Sequence, residues 1–503
     1  MPDFSILPYP AIISALYEIS RPAGWKVYLV GGAVRDLLLR REVHDLDFSI
    51  IGNARIAGKR LADQMGGGFF LLDDERNTAR VLLSSGGEKI TIDIAEIRAD
   101  SLENDLRGRD FTINAMCLDL DAPTNLIDPL KGALDLKEKI IRTCSETSFE
   151  SDPVRVLRAV RMALSLNARI LPETLSKMRQ AVPSLHRSAM ERHRDEFFRM
   201  LAAPRVRSAL SLLDSIGVLT FLFPEITALK DTPQSEPHIM DVWGHTLAAV
   251  EALETLLGIL LDDHRAEQAE NLVFGSAKIK LLAYKQQLRE TLNTPLVSDR
   301  PKRALLMFAA LFHDAAKPHT LSRTDDRIHF FEHESRGLEI VGEVARRLTL
   351  GQAEIDYISK IVKNHMRIHT LASNEAPPSR RAVYRFFRDT GEAGVGVCLL
   401  SLADTRATYG IHLPMTVWEA ELEICRLLLD TWYENYEERV NPITLINGRD
   451  VMEIFKLEPG PLIGKILSAL HEAQAVGTVA DREAAISFVR AYLAEPGNWD
   501  EEV

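Results

Sequence analysis

Residues 29–50, LVGGAVRDLLLRREVHDLDFSI, decide how this chain folds at its start. Leu29 and Val30 end an apolar run that reads as a strand, and Gly31 and Gly32 supply a tight turn. AVRDLLLRR then has helical spacing, and DLDFSI alternates as a second strand before Gly52. A glycine pair between strand and helix leaves backbone N–H groups and the positive helix end open to an anion, with no Cβ in the way. Arg35 follows one turn into the helix. Asp45 and Asp47, two residues apart on a strand, point to the same face and repel unless a cation sits between them. Magnesium is suited to that position, because it prefers one or two carboxylates completed by phosphate oxygens. A glycine pair alone is only a turn, and two acids alone are a solvated strand end. Their succession is what points to a phosphate and metal site.

Downstream, RVLLSSGGEKITIDIAEIR (80–98) holds two β-rich runs around Ser84–Gly87, which predicts a hairpin. Its Asp93 lies between apolar neighbours, where a carboxylate needs a reason to exist. With Asp45 and Asp47 it completes a triad for two metals, the arrangement that activates a 3′-hydroxyl and stabilises a leaving pyrophosphate.

Beyond about Ser148 the alternation stops and apolar-periodic segments such as DPVRVLRAVRMALSL, ERHRDEFFRML and RVRSALSLLDSIGVL predict helices. In the first of these, Arg155, Arg158 and Arg161 occupy one arc while Val156, Leu157, Val160 and Leu164 occupy the other. From Arg155 to Arg199 there are ten Arg and Lys against four Asp and Glu. That is a local electrostatic footprint, although in isolation such a face is more often merely solvated. Asp152 and Arg155, one turn apart, can turn an acceptor and a planar fork of donors toward one ligand edge.

The whole chain has 503 residues, 60 Lys and Arg against 72 Asp and Glu, a net charge of −12, 46% hydrophobic and 26% charged residues. This is globular composition for three or four units; it excludes disorder, collagen and coiled coil, and disfavours indiscriminate coating of nucleic acid. Cys117, Cys144, Cys398 and Cys425 form no CxxC pair, which argues against a disulfide framework or thiolate zinc site and suits a reducing cytoplasm. MPDFSILPYP lacks the pattern of a signal peptide, and the longest apolar-rich stretch, ALLMFAALF before His313, is too short for a bilayer. A soluble protein with no membrane partner is expected.

A second constellation spans residues 238–404. His245 stands in VWGHTLAAVEAL, His313 and Asp314 in ALFHDAAKP, His333 in FFEHESRG, His365 in IVKNHM and Asp404 in LSLADTRA. Imidazoles with carboxylates suit a divalent transition metal or magnesium.

LVGGAVRDLLL, HDLDFSI, RGRDFTINAMCLDL, LIDPLKGALDLKEKIIR, DPVRVLRAVR and ERHRDE, in that order over roughly residues 25–200, resemble the class II tRNA nucleotidyltransferase and bacterial poly(A) polymerase family. The resemblance implies an α+β fold: a polymerase-beta-like nucleotidyltransferase head with a mixed sheet (1–145), then mainly α-helical parts. These are a nucleotide- and RNA-binding neck (146–225), an HD domain (226–439) and a tail (440–503). It implies Mg²⁺ on Asp45 and Asp47, with Asp93 as third catalytic carboxylate. Gly31, Gly32 and Arg35 would meet the triphosphate, while Arg109, Asp110 and Asn114 would order sugar and phosphates. Asp152 and Arg155 would read the base, supported by Arg158 and Arg161. Cytosine and adenine both present an amine donor beside a ring acceptor, so one Asp–Arg pair accepts either. The expected substrates are CTP, ATP and the tRNA 3′ end, and the expected product is CCA.

Two positions depart from the family. Ser151 stands where a Glu precedes the Asp of Glu-Asp-x-x-Arg, and Gly108 where an Arg precedes Arg-Asp. They keep A-only, CC-only and poly(A) addition open as alternatives. Between the metal motifs, LLDDERNTARVLL (71–83) carries Asp73, Asp74, Arg76 and Arg80, a loop able to help switch from C to A, although solvated loop charges are the commoner outcome.

The later histidines resemble the HD superfamily of metal-dependent phosphohydrolases. His245, His313, Asp314 and Asp404 match its four core positions, and His333 and His365 the two extra histidines of a binuclear site. That resemblance implies a second divalent metal (Mg, Mn or Ni) and a phosphohydrolase that could clean damaged tRNA ends. An HD phosphohydrolase with the head as RNA-binding module is the remaining alternative. In the tail, NGRD and GPLIGKIL read as turns, with a Lys able to touch RNA phosphate, although helix packing is the ordinary role. Oligomeric state has no sequence signal.

Overall fold

The KVYLV run forms strand β1 (Lys26–Val30), buried beyond its first residue. At Gly31 the backbone turns at φ 72°, in the left-handed region open to glycine, and helix Gly32–Leu38 begins at once. A Cβ at Gly31 would lie 3.0 Å from Arg109 Nη1 and 3.4 Å from Asp47 Oδ2, so this glycine is also needed for close approach. In the computed structural model, residues 7–73, 77–85, 88–97, 100–261, 272–297, 300–324, 327–373 and 376–495 are described.

The other strands of the head are β2 (Asp45–Ile51), β3 (Gly68–Asp73), β4 (Thr78–Ser85), β5 (Glu88–Glu96), β6 (Cys117–Asp119) and β7 (Leu126–Ile127). They form one mixed sheet in the order β3-β4-β5-β2-β1-β6-β7. β2 runs antiparallel to β1 and parallel to β5, and the register sets Asp47 opposite both Val30 and Asp93. Leu46, Phe48 and Ile50 turn to the core while Asp45 and Asp47 turn away from it. Helix Ala54–Met65, capped by the Asn53 side chain, makes the crossover between the parallel strands. It lies so close to the sheet that a Cβ on Gly58 would stand 2.8 Å from that of Ala79.

The expected hairpin is β4 with β5, antiparallel; Gly86 and Gly87 lie outside the described residues. Within segment 71–83, 80–83 are strand as the hairpin reading predicts, while the residues on either side of the acidic cluster, expected as a loop, are strand as well. Leu71–Asp73 end β3 and Thr78 onward form β4. The acidic cluster obscured the pattern, because Phe70 and Leu72 are exposed apolar residues of β3. Asp74, Arg76 and the Asp73 side chain lie outside the described residues.

Two compact units emerge: Met1–Glu196 with Leu212–Val218, and Phe197–Ser211 with Leu219–Val503. In the first, helix Arg155–Ser165 buries Val156, Leu157 and Val160 and turns Arg155, Arg158 and Arg161 to the opposite side, as its periodicity predicts.

In the second unit, helices Val242–Leu261, Lys302–Phe312, Gln352–Asn364 and Ala393–Tyr409 pack together. Phe223, Phe308 and Phe312 form a ring cluster there, with Phe308 and Phe312 centroids 4.8 Å apart. Among the described residues Val242–Leu261, and not ALLMFAALF, is the longest apolar element: 20 residues with a mean hydropathy of 1.4 in an 18-residue window, long and apolar enough to cross a membrane by length and composition. Within the fold, 67% of that window is buried. Glu251 and Glu254 interrupt the run and hid its length in the sequence.

Among the described residues, the tail holds three helices, Gly448–Phe455, Pro461–Ala475 and Arg482–Ala494, around Val451, Ile466, Leu470 and Val489. NGRD is a helix cap, in which Asn447 Oδ1 accepts from the Arg449 and Asp450 N–H groups and the Asp450 carboxylate accepts from the Asn447 N–H. The four cysteines are buried and unpaired.

Candidate catalytic cleft and candidate metal centre

The register of β2 and β5 brings Asp45, Asp47 and Asp93 to one face, as the spacing predicts. Burial pushes the Asp47 carboxyl up to about 6; Arg109 draws it down, while Asp93 and Asp45 push it further up. A carboxylate so placed gains from a cation, and the Asp45–Asp47 pair with the open Gly31 cradle fits magnesium. Asp93 is engaged differently from expectation. Arg80, directly opposite on β4, donates to both its oxygens at 2.8 and 2.7 Å.

A cleft of about 700 Å³ opens beside Asp47, walled by Gly31, Gly32, Arg35, Arg109 and the three arginines of helix Arg155–Ser165. Arg35 donates to Asn114 Oδ1 at 2.8 Å, and Asn114 in turn donates to Asp110 Oδ1 at 3.0 Å. Asp110 also accepts from Arg158 at 3.3 Å. Arg158 and Arg161 both rest on buried Glu196, at 3.1 and 2.6 Å. Arg109 donates to Ser49 Oγ at 3.2 Å, while its Nε is buried with no partner. A wall of arginines held by carboxylates behind them, with one guanidinium incompletely satisfied, is suited to a polyphosphate.

Asp152 and Arg155 do not turn their polar edges to a common ligand. Their nearest approach is 3.9 Å, from Arg155 Nε to Asp152 Oδ2. Arg155 donates to the Gly108 carbonyl at 2.8 Å, the Arg109 carbonyl at 3.2 Å and Ser148 Oγ at 2.9 Å. Asp152 takes a bidentate pair from Arg192, and although burial opposes its charge, Arg192 and Arg155 hold its carboxyl below the usual range. Asp45, Asp93 and Asp152 are outside the cleft lining. Sequence reasoning missed the parts played by Arg192 and Glu196, although both lie in the quoted ERHRDE; Ser49 had no signal.

The second unit gathers the six residues that the HD resemblance singles out. His245 lies in the first turn of Val242–Leu261, His313 and Asp314 follow Lys302–Phe312, and His333 opens helix His333–Arg347. His365 follows Gln352–Asn364, and Asp404 lies within Ala393–Tyr409. Two groups, His245–His313–Asp314 and Asp314–His333–His365, each have ligand atoms within 4.8 Å of one another, and Asp314 belongs to both. All six side chains are buried.

The Nδ1 atoms of His313, His333 and His365 donate to the Ala310, Phe330 and Val362 carbonyls at 2.7–2.8 Å, which turns each Nε2 inward. His245 Nε2 lies 2.8 Å from Asp404 Oδ1, His313 Nε2 3.3 Å from Asp314 Oδ2, and the Nε2 atoms of His333 and His365 3.2 Å from each other, so imidazole nitrogens and carboxylates converge on one buried centre. Burial disfavours charge on His313, yet Asp314 and Asp404 push its pKa up to about 10, so the centre is negative enough to hold a proton or a divalent cation there. Burial, with His313 and His333, holds His365 neutral at about 3. Imidazole nitrogens converging in two groups that share the Asp314 carboxylate fit a pair of divalent metals.

Behind the ligands, Lys317 Nζ lies 2.7 Å from Asp314 Oδ2. His369 links Asp404, at 2.9 Å, to buried Glu421, which accepts from Ser401 at 2.9 Å. Sequence reasoning missed both His369, for which a place four residues after His365 was the available signal, and Glu421, which had none. A cleft of about 740 Å³ opens onto Asp314, His333 and Asp404.

The chain matches the family model of the poly A polymerase head domain over residues 27–142 and that of the probable RNA and SrmB-binding site of polymerase A over 168–230. The HD domain model matches 279–408 and the putative tRNA nucleotidyltransferase domain 2 model 442–489. The A-adding tRNA nucleotidyltransferase of Deinococcus radiodurans is 32% identical over 93% of this chain and 96% of its own length. The CC-adding tRNA nucleotidyltransferase of Geobacter sulfurreducens is 30% identical over 98% and 96%. A solved CCA-adding enzyme in complex with CTP has the same fold, with a TM-score of 0.60 and 22% identity over 97% of this chain and 96% of that one. The head's carboxylate face, the arginine-walled cleft and relatives alike along nearly their whole length converge: the chain belongs to the tRNA nucleotidyltransferase family and carries an HD domain.

Proposed function

We propose that this chain builds the CCA end of tRNA, adding C and A from CTP and ATP with release of pyrophosphate. The observation that carries this reading is the common face of Asp45, Asp47 and Asp93 beside the arginine-walled cleft. In this reading residues 1–145 supply the catalytic face, 146–225 the base-reading and RNA-binding neck, 226–439 the HD domain and 440–503 the tail. The Gly31 turn and Arg35 meet the triphosphate, and Arg109, Asp110 and Asn114 order sugar and phosphates. The 3′-oxygen of the RNA bonds to the α-phosphorus, the bond to pyrophosphate breaks, and the hydroxyl proton leaves to solvent. Magnesium on Asp45 and Asp47 supplies charge neutralisation for the attacking and leaving oxygens. Arg158 and Arg161, anchored by Glu196, steady the nucleotide, and Asp152 with Arg155 reads the base after exchanging their present protein partners for it.

A second reading, addition of only part of CCA, is favoured by the A-adding and CC-adding relatives and by Ser151 and Gly108. One experiment separates them: incorporation of CTP and ATP, singly and together, into tRNA ending before CCA, tRNA ending in CC, and an unrelated RNA. Complete CCA on the first acceptor supports the primary reading. Extension of only one acceptor supports the second, and tracts of A on unrelated RNA would overturn both.

We also propose that the HD centre is a phosphohydrolase that removes phosphate from damaged RNA 3′ ends, using Mg, Mn or Ni. Support comes from the burial of all six residues and the convergence of their imidazole nitrogens and carboxylates. Phosphate release that is metal-dependent and lost in His313→Ala is the expected result; no release with any of the three metals overturns it. Four unpaired thiols suit the reducing cytoplasm, and no membrane partner is needed.

A further inference from the structure

One wall of the HD cleft has no part in holding metal. Strands β8 (Leu321–Thr324) and β9 (Arg327–Phe330) pair antiparallel, and the chain then passes through Phe331 and Glu332 directly into His333. Phe331 is 67% exposed, and its ring stacks on that of His329, with centroids 5.3 Å apart and planes 10° from parallel. Both rings line the cleft that opens onto Asp314, His333 and Asp404.

An isolated exposed apolar side chain needs no explanation. This one is the outer layer of a two-ring stack at the rim of a metal-binding cavity. The platform is held in place: the Ile328 N–H donates to Ser235 Oγ at 2.7 Å, and the Lys317 ammonium lies 5.3 Å from the centroid of the Phe330 ring while also pairing with Asp314. Phe331 and His333 are two residues apart, so their Cα atoms are no more than about 7 Å from each other. A flat ring laid on Phe331 is therefore a nucleotide's reach from the metal ligands.

We propose that Phe331, backed by His329, is a stacking platform for the nucleobase of a ribonucleoside phosphate whose ester lies at the HD centre. Stacking uses the π-face that every base has, so the platform separates base-bearing from baseless phosphate esters without choosing among bases. That suits an RNA terminus of any sequence. The inference rests on the hydrolase reading above, and its test keeps the two apart.

The test compares the full-length, manganese-loaded protein with Phe331→Ala and Phe331→Trp, measuring phosphate release from adenosine 2′-monophosphate and from glycerol 2-phosphate. Phe331→Ala is expected to lower kcat/KM for the nucleotide about tenfold, through KM, and to leave glycerol 2-phosphate unchanged; Trp restores the nucleotide. Equal losses on both substrates, or no loss on the nucleotide, overturn the platform. If the wild type releases phosphate from neither, the hydrolase reading has failed, and the platform is judged by the calorimetric Kd for adenosine 2′-monophosphate. A roughly tenfold weakening in Phe331→Ala then supports it; an unchanged Kd, or a loss produced instead by Arg109→Ala in the head, overturns it.

Discussion

Arg192 closes a bidentate ion pair on Asp152, with nitrogen–oxygen distances of 3.0 and 2.7 Å, so both oxygens of the residue expected to read the base are engaged by protein. An incoming amine donor has to compete with a guanidinium for the same lone pairs.

Removing that competitor is expected to change discrimination more than stability. Arg192→Ala should shift the ratio of kcat/KM for CTP and ATP several-fold, with a Tm change of only a few degrees, because a half-exposed pair contributes about 1 kcal/mol at most. Asp152→Asn should lower kcat/KM for the preferred nucleotide about 10- to 100-fold. The pair also sets a pH dependence. The Asp152 carboxyl is held below its usual range in the fold, so its contribution is complete above pH about 4 and lost as pH falls through the depressed value. Wild type and Asp152→Asn should accordingly converge in Tm at low pH.

At the carboxylate face, Asp47→Asn is expected to abolish nucleotide addition while raising Tm in EDTA at pH 7. The folded-state pKa of Asp47 is raised to about 6, so ionising it costs stability as pH rises through that value. Thermal melts with and without magnesium check this, and a lower Tm for the variant in EDTA would count against mutual repulsion of the three acids.

The shared position of Asp314 predicts an unequal loss of metal. Asp314→Ala should empty the HD centre, taking bound manganese from two ions per chain to none, whereas His365→Ala should leave one. Elemental analysis after dialysis reads this directly; one ion lost in each variant would mean that Asp314 does not bridge.

His369 joins Asp404 to Glu421, so on the proposed reading of Asp404 as a metal ligand it is a positioning residue. His369→Ala should weaken metal binding by about 10- to 100-fold, and His369→Gln, which retains one donor for Asp404, should recover part of it. Calorimetric titration with manganese measures both.

Much of the catalytic head was legible in the sequence because its requirements are local. Only glycine accepts the Gly31 backbone with Asp47 and Arg109 so near, and a two-residue spacing on a strand forces Asp45 and Asp47 to one face. The apolar stripe of Arg155–Ser165 likewise dictated which way its arginines turn. The six HD residues were legible as types in order, since an imidazole beside a carboxylate at the end of an apolar helix has few roles in a core.

What tertiary structure decided was the partner of each charge. Arg80 takes Asp93 because β4 lies antiparallel to β5 in one register, and a one-residue slip would turn it to the other face. Glu196 anchors Arg158 and Arg161, Arg192 takes Asp152, and Glu421 reaches His369 across 52 residues. Periodicity along a chain determines which face a side chain occupies, but a contact between distant segments depends on how those faces pack, and no local pattern encodes that.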